Sequence, residues 1–137
     1  MSIQQTIEIA TRQRGTTEIT AAVANIVAAK PTACGLCNVF VLHTSCSVML
    51  TENAAPTVRH DLEMLAQRWA PDGDAAYRHN DEGDDDMAAH GRNVLAGSSI
   101  TVPVRDGKLV LGRWQGIYLW EHRTQGQRRK IVVTLIG

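Results

Sequence analysis

Four short apolar-rich stretches crowd the last third of the chain and leave no room there for a long helix. Residues 99–104 and 108–111 flank Arg105-Asp106-Gly107, and Asp-Gly between two apolar runs is a strong hairpin signal. Residues 116–122 and 128–136 read as a further strand pair. Near the start, residues 3–11 alternate apolar and polar side chains, as a half-buried strand does. A chain with this ending must build largely antiparallel sheet.

The middle of the chain supplies helices. Thr20 is placed to cap a helix over 21–29, rich in alanine and stopped before Lys30-Pro31. Residues 36–43 and 46–50 read as strands around a bend at Thr44-Ser45. Asn53 precedes an amphipathic helix that runs to about Trp69, with Pro56 near its first turn. Leu62, Leu65 and Trp69 recur at helical spacing and read as core. Residues 71–85 form a polar loop, and a last helix over 86–96 ends at Gly97, a suitable C′ glycine. The expectation is a single α+β domain over residues 1–137: a mixed, largely antiparallel β-sheet sandwich with about three short helices.

At 137 residues and 44% hydrophobic content, the chain can bury a core without disulfides. Fourteen basic residues balance fourteen acidic ones, so charge gives no argument for nucleic acid or a membrane surface. No segment reads as a signal peptide or approaches the roughly 20 apolar residues of a membrane span. The odd cysteine count, Cys34, Cys37 and Cys46, favours reduced thiols and a cytoplasmic location. Cys34-Gly35-Leu36-Cys37 lacks a second C-x-x-C and reads as loop and strand packing.

Polar chemistry concentrates between residues 79 and 123. His79 opens an acidic run that leads into Asp86 and His90, four apart and therefore on one face of a helix. A carboxylate there can orient an imidazole that binds metal or moves a proton; Asp86 as an N-cap beside a solvated His90 is the open alternative. His43 reads as a core or strand-end histidine, and His60 as surface. Glu121 and His122 are adjacent on a strand and point to opposite faces, Glu121 with Ile117 and Leu119, His122 with Tyr118 and Trp120. A carboxylate on an aliphatic face is costly unless paired, and Arg123 and the run Arg128-Arg129-Lys130 offer partners.

His43-Thr44-Ser45, Glu52-Asn53-Ala54, Tyr77-Arg78-His79-Asn80, Asp85-Asp86-Met87 with His90, Leu95 with Gly97-Ser98-Ser99, Gly112 with Trp114-Gln115-Gly116-Ile117-Tyr118, and Glu121-His122-Arg123 occur in this order. Together they resemble the YjbQ family, also called the secondary thiamine-phosphate synthase family, over nearly the whole chain. The resemblance implies a compact trimer with weak thiamine-phosphate synthase activity, in which a pyrimidine pyrophosphate joins a thiazole phosphate and pyrophosphate leaves. It implies candidate catalytic groups His90, Asp86, Glu121 and Ser45. Asn53, Ser98, Ser99, Trp114, Gln115 and Arg123 would bind substrate or anion, and His43, His79, His90 and His122 would hold a metal. Two departures stand out: Trp120 occupies the place of an expected cysteine before Glu121-His122, and Asp84-Asp85 replaces a segment where proline is common.

These residues suggest how such a reaction could be served. Backbone N–H groups around Gly97-Ser98-Ser99, with Arg123 or Arg129, could hold the leaving phosphates. Mg²⁺ on Asp86 would suit pyrophosphate, whereas several histidines favour Zn²⁺. The alternative is a non-catalytic trimeric module that holds a metal ion or a small phosphate-bearing anion.

Overall fold

In the computed structural model, which describes residues 2–137, eight strands form two antiparallel sheets and three helices accompany them. The strands are β1 (Ser2–Ala10), β2 (Gln13–Glu18), β3 (Cys34–Val41), β4 (Cys46–Glu52), β5 (Ser99–Arg105), β6 (Lys108–Leu109), β7 (Gln115–Gln125) and β8 (Arg128–Ile136). The helices are α1 (Thr20–Ala28), α2 (Pro56–Trp69) and α3 (Asp86–Ala96). One sheet has the order β1-β8-β3-β5-β6 and the other β2-β7-β4. This is the expected α+β sandwich.

The core lies between the sheets. Val39, Val41, Ile131, Val133 and Leu135 from the larger sheet meet Val48, Ile117 and Leu119 from the smaller one. Val23, Ile26 and Val27 of α1 join them. Strand β7 is buried from Gly116 to His122 because its inner face meets this core and α3, with Trp120 reaching α2, covers its outer face. At the predicted hairpin, Asp106 and Gly107 both take positive φ, 51° and 74°, as the tight turn requires. α3 ends as expected at Gly97, with φ 93°.

Several local expectations are corrected. Strands β7 and β8 do not pair; they belong to different sheets. Thr6 pairs with Val132 and Ala10 with Arg128 in one sheet, and Gln13 with Gln125 in the other, an unchanged register across the corner. Residues 2–18 and 115–136 are thus one antiparallel ribbon, kinked at Thr11-Arg12 and Gly126-Gln127. A Cβ on Gly126 would lie 2.2 Å from the Thr11 carbonyl oxygen, so only glycine allows the kink. Strand β2, QRGTTE, carries no apolar alternation and escapes a periodicity search. It forms because the β7 edge offers backbone partners. Thr20 does not cap α1: its hydroxyl donates to Glu18 and accepts the Ile117 N–H. Trp69 is 56% exposed and not core. Its neighbour Ala66 is the buried residue of α2.

Candidate functional site

His79, Asp86 and His90 come together where the polar loop enters α3. Asp86 sits in the first turn of the helix, buried, where a negative charge is favoured. His79 donates Nε2–H to Asp86 Oδ2 at 2.8 Å. His90, one turn along, places its Nε2 3.3 Å from the same oxygen. The two rings tilt against each other with centroids 5.4 Å apart. One ligand atom from each residue lies within 4.8 Å of the others. Asp86 Oδ1 accepts from Arg123 Nη1 at 3.1 Å. Burial pushes the Asp86 carboxyl up, but the His79 hydrogen bond and the charges of His90 and Arg123 prevail and hold it below the ordinary aspartate value.

The Nδ1 of His90 donates to the Thr44 carbonyl at 3.0 Å. That bond leaves the lone pair of a neutral ring on Nε2, directed at Asp86. A proton or a cation between these two atoms, 3.3 Å apart, would turn the close approach into an attraction. Thr44 belongs to the bend between β3 and β4, so a long-range contact, not helix spacing alone, fixes the imidazole.

Beside this open cluster lies a sealed one. Glu121 is fully buried at the end of the inter-sheet core and accepts from Arg129 Nε at 2.8 Å and from Arg129 Nη2. Thr11 Oγ1 donates to it at 2.7 Å and the Arg123 N–H at 3.1 Å. Arg129 Nη2 also donates to Ser45 Oγ at 2.9 Å, and Ser45 Oγ lies 2.9 Å from His43 Nδ1. Burial first, then Arg129, keeps His43 more easily deprotonated than an ordinary histidine. Ser45 is therefore a buried link between imidazole and guanidinium rather than an exposed hydroxyl.

On the opposite face of β7, His122 packs against Trp120 at 5.0 Å and shares a 2.8 Å hydrogen bond with Ser47. Its Nδ1 has no hydrogen-bond partner among the described residues. Burial, with Arg92, Arg14 and Arg129 nearby, pushes its pKa down to about 3. Trp120 donates its indole N–H to Glu63 at 2.7 Å, and Glu63 also accepts from buried Arg92 at 2.9 Å. At position 120 the indole thus anchors α2 to the sheet.

The residues expected to share one site are spread over three places. His79, Asp86 and His90 converge, and His43 adjoins them through Thr44. His122 points the other way because adjacent strand residues alternate, so the expected histidine quartet is divided. Arg123 is committed to Asp85 at 3.0 Å, to Asp86 and to the Glu82 carbonyl at 3.0 Å; burial raises the Asp85 pKa, but Arg123 and the Thr124 N–H outweigh it and hold it at about 2. Ser98 accepts from Asn93 at 3.0 Å and Ser99 from Asn38 at 2.9 Å. The Gly97 N–H closes the helix on Asn93 and is not open to an anion.

Asn53, Trp114 and Gln115 lie at the far end of the β4–β7 ladder. Glu52 pairs with Gln115 there, and Cys46 pairs with Glu121 at the near end. Six residues of strand separate the two ends by about 20 Å. Trp114 is 52% exposed beneath Arg113, and Gln115 accepts the Gly112 N–H. Thr11, Arg14 and Arg92 were not legible as site neighbours from the sequence, whereas Ser47 lies in the Thr44-Ser45-Cys46-Ser47 tract, which reads as hydroxyl donors or turn chemistry. Thr11 is a hydroxyl with no motif around it. The arginines sit among polar neighbours, Gln13 before Arg14 and Asn93 after Arg92, and carried no local signal of burial.

The fold and the sequence have relatives among known proteins. The family model described as UPF0047 protein YjbQ-like matches residues 5–137. The UPF0047 protein YjbQ of Salmonella typhimurium is 45% identical over 100% of this chain and 99% of its own length. The YjbQ protein of Escherichia coli O157:H7 is 41% identical with the same coverage. A conserved hypothetical protein from Thermus thermophilus superposes with a TM-score of 0.86 at 32% identity, covering 96% of this chain and 99% of that one. A YbjQ-like protein of unknown function from Sulfolobus solfataricus gives 0.87 at 26% identity, covering 100% and 99%. With a family model matched over residues 5–137 and a relative 45% identical over 100% of this chain, the chain belongs to the UPF0047 YjbQ-like family.

Proposed function

We propose that this protein is an enzyme of pyrophosphate-ester chemistry, with the thiamine-phosphate synthase activity that its motifs imply, and that His79, Asp86 and His90 hold a divalent metal ion. The observation that carries the reading is the convergence of His79, Asp86 and His90 ligand atoms within 4.8 Å. The donor set fits a metal. His90 donates Nδ1–H to a carbonyl, the outer-sphere bond typical of a metal-ligating imidazole. Asp86 is steadied from its other oxygen by Arg123. Two imidazoles and one carboxylate favour Zn²⁺ or a similar borderline ion over Mg²⁺. Three protein ligands leave a position open, and the side chains of His79 and His90 are 48% and 30% exposed. A bound ion would supply positive charge to phosphate oxygens.

In the proposed reaction the thiazole nitrogen bonds to the pyrimidine methylene carbon while the carbon–oxygen bond to pyrophosphate breaks. The protein's part is to hold the phosphates and favour the departing anion. Self-association as the implied trimer is part of the proposal. Leu36, Phe40 and Ile136 are 52%, 42% and 58% exposed on the outer face of the five-stranded sheet. Exposed apolar residues grouped in this way suit a subunit contact.

Zinc titration by calorimetry, paired with a product assay on the two substrates, tests the reading. Zinc uptake and product formation should both be lost in His90→Ala while the fold is kept. Metal uptake without product would leave the non-catalytic binding module, and neither uptake nor product would overturn the proposal.

A further inference from the structure

The His43–Thr44–Ser45 bend fixes two neighbouring imidazoles in opposite senses. The Thr44 carbonyl can only accept, so His90 must carry a proton on Nδ1 across their 3.0 Å bond. At His43 the polarity is reversed. The Ser45 backbone N–H can only donate, and it donates to His43 Nδ1 at 3.1 Å. The Ser45 hydroxyl is 2.9 Å from the same nitrogen. Its oxygen already accepts from Arg129 Nη2 at 2.9 Å, which leaves the hydroxyl proton to point at the imidazole. Arg129 is itself locked by Glu121. Two donors therefore converge on His43 Nδ1, and the neutral ring carries its proton on Nε2. That nitrogen makes no hydrogen bond among the described residues, and the side chain reaches solvent beside the His90 cluster.

We propose that His43 is a fixed Nε2–H donor to a phosphate or pyrophosphate oxygen bound beside His79, Asp86 and His90, and not a metal ligand or a base. This role rests on the anion-handling reading of that cluster. A neutral imidazole donor stabilises charge on an oxygen without transferring its proton. The buried Glu121–Arg129–Ser45 chain then has a purpose that packing alone does not give it: it holds the tautomer. One bend supplies an acceptor nitrogen through His90 and a donor nitrogen through His43.

Two-bond proton–nitrogen correlation spectra of ¹⁵N-labelled protein read the ring nitrogens directly. The expected pattern is an unprotonated Nδ1 and a protonated Nε2 for His43, with a protonated Nδ1 for His90. Adding Zn²⁺ should move the nitrogens of His79 and His90 and leave the His43 pattern in place. Inorganic pyrophosphate then probes the donor. His43→Gln keeps an N–H near the Nε2 position and should stay within about threefold of the wild-type affinity; His43→Asn, whose amide ends near Nδ1, should lose about tenfold or more, as removal of one hydrogen bond to a charged group does. A protonated His43 Nδ1, a His43 Nε2 that binds Zn²⁺, wild-type protein that takes up zinc but no pyrophosphate, or equal affinities in the two variants overturns the assignment. Pyrophosphate binding with the expected variant pattern but no zinc uptake would sustain the His43 role and overturn the metal reading instead.

Discussion

The open His79–Asp86–His90 cluster and the sealed surroundings of Glu121 and His122 use similar side chains under different solvation. In the open cluster a buried carboxylate faces two partly exposed imidazoles, so the group stays within reach of solvent. Glu121, by contrast, is neutralised by a guanidinium as buried as itself, and His122, one residue on, has no carboxylate partner among the described residues, and burial pushes its pKa down to about 3. The comparison teaches that reach to solvent decides whether such a group can handle a ligand. Without that reach the same chemistry becomes a structural fixture.

The largest effect that can break this comparison is at Glu121. Replacing it with alanine strands buried Arg129, and a loss of about 3–5 kcal/mol in stability is expected by urea unfolding. A loss below about 1 kcal/mol would mean that the pair is not sealed. Next comes the open cluster. His90→Ala should weaken Zn²⁺ binding by about 100-fold or more, beyond what loss of an outer-sphere partner costs. The same substitution should leave stability within about 1 kcal/mol, as expected near the surface. A variant with wild-type zinc affinity would move the metal elsewhere.

A smaller effect separates the two clusters by pH. The folded His122 pKa, about 3, lies below the ordinary 6.5, so the unfolded chain binds the extra proton between these values. The stability contributed by neutral His122 is present above about pH 6.5 and is lost as pH falls toward 3. One proton corresponds to about 1.4 kcal/mol per pH unit. Between pH 6 and 4, His122→Asn should show a shallower acid decline than wild type by up to that slope. Parallel curves would show that His122 is protonated in the fold. The smallest effect is expected at His60, whose side chain is 80% exposed and pairs with exposed Asp61. His60→Ala should change stability by no more than about 0.5 kcal/mol. A larger change in melting would show that exposure is a poor guide to role in this protein.

What the sequence determined by itself was local. Strand alternation, the Asp106-Gly107 turn and the Gly97 helix end are properties of a few consecutive residues, and each stands where expected. The i,i+4 spacing put Asp86 beside His90, and strand alternation put Glu121 and His122 on opposite faces. Glu121 was legible as a carboxylate in need of a cation, but Arg123 and Arg129 were equal candidates along the chain. Only the packing of β8 across the core from β7 turned Arg129 inward and left Arg123 to Asp85 and Asp86. His79 joined its partners because the loop folds back, an encounter between residues 7 and 11 positions apart that no fixed spacing encodes. The ribbon kinked at Gly126, the polar strand β2 and the Thr44 carbonyl that orients His90 were likewise decided in three dimensions. Backbone groups look alike in every sequence, and their partners are set only when distant segments meet.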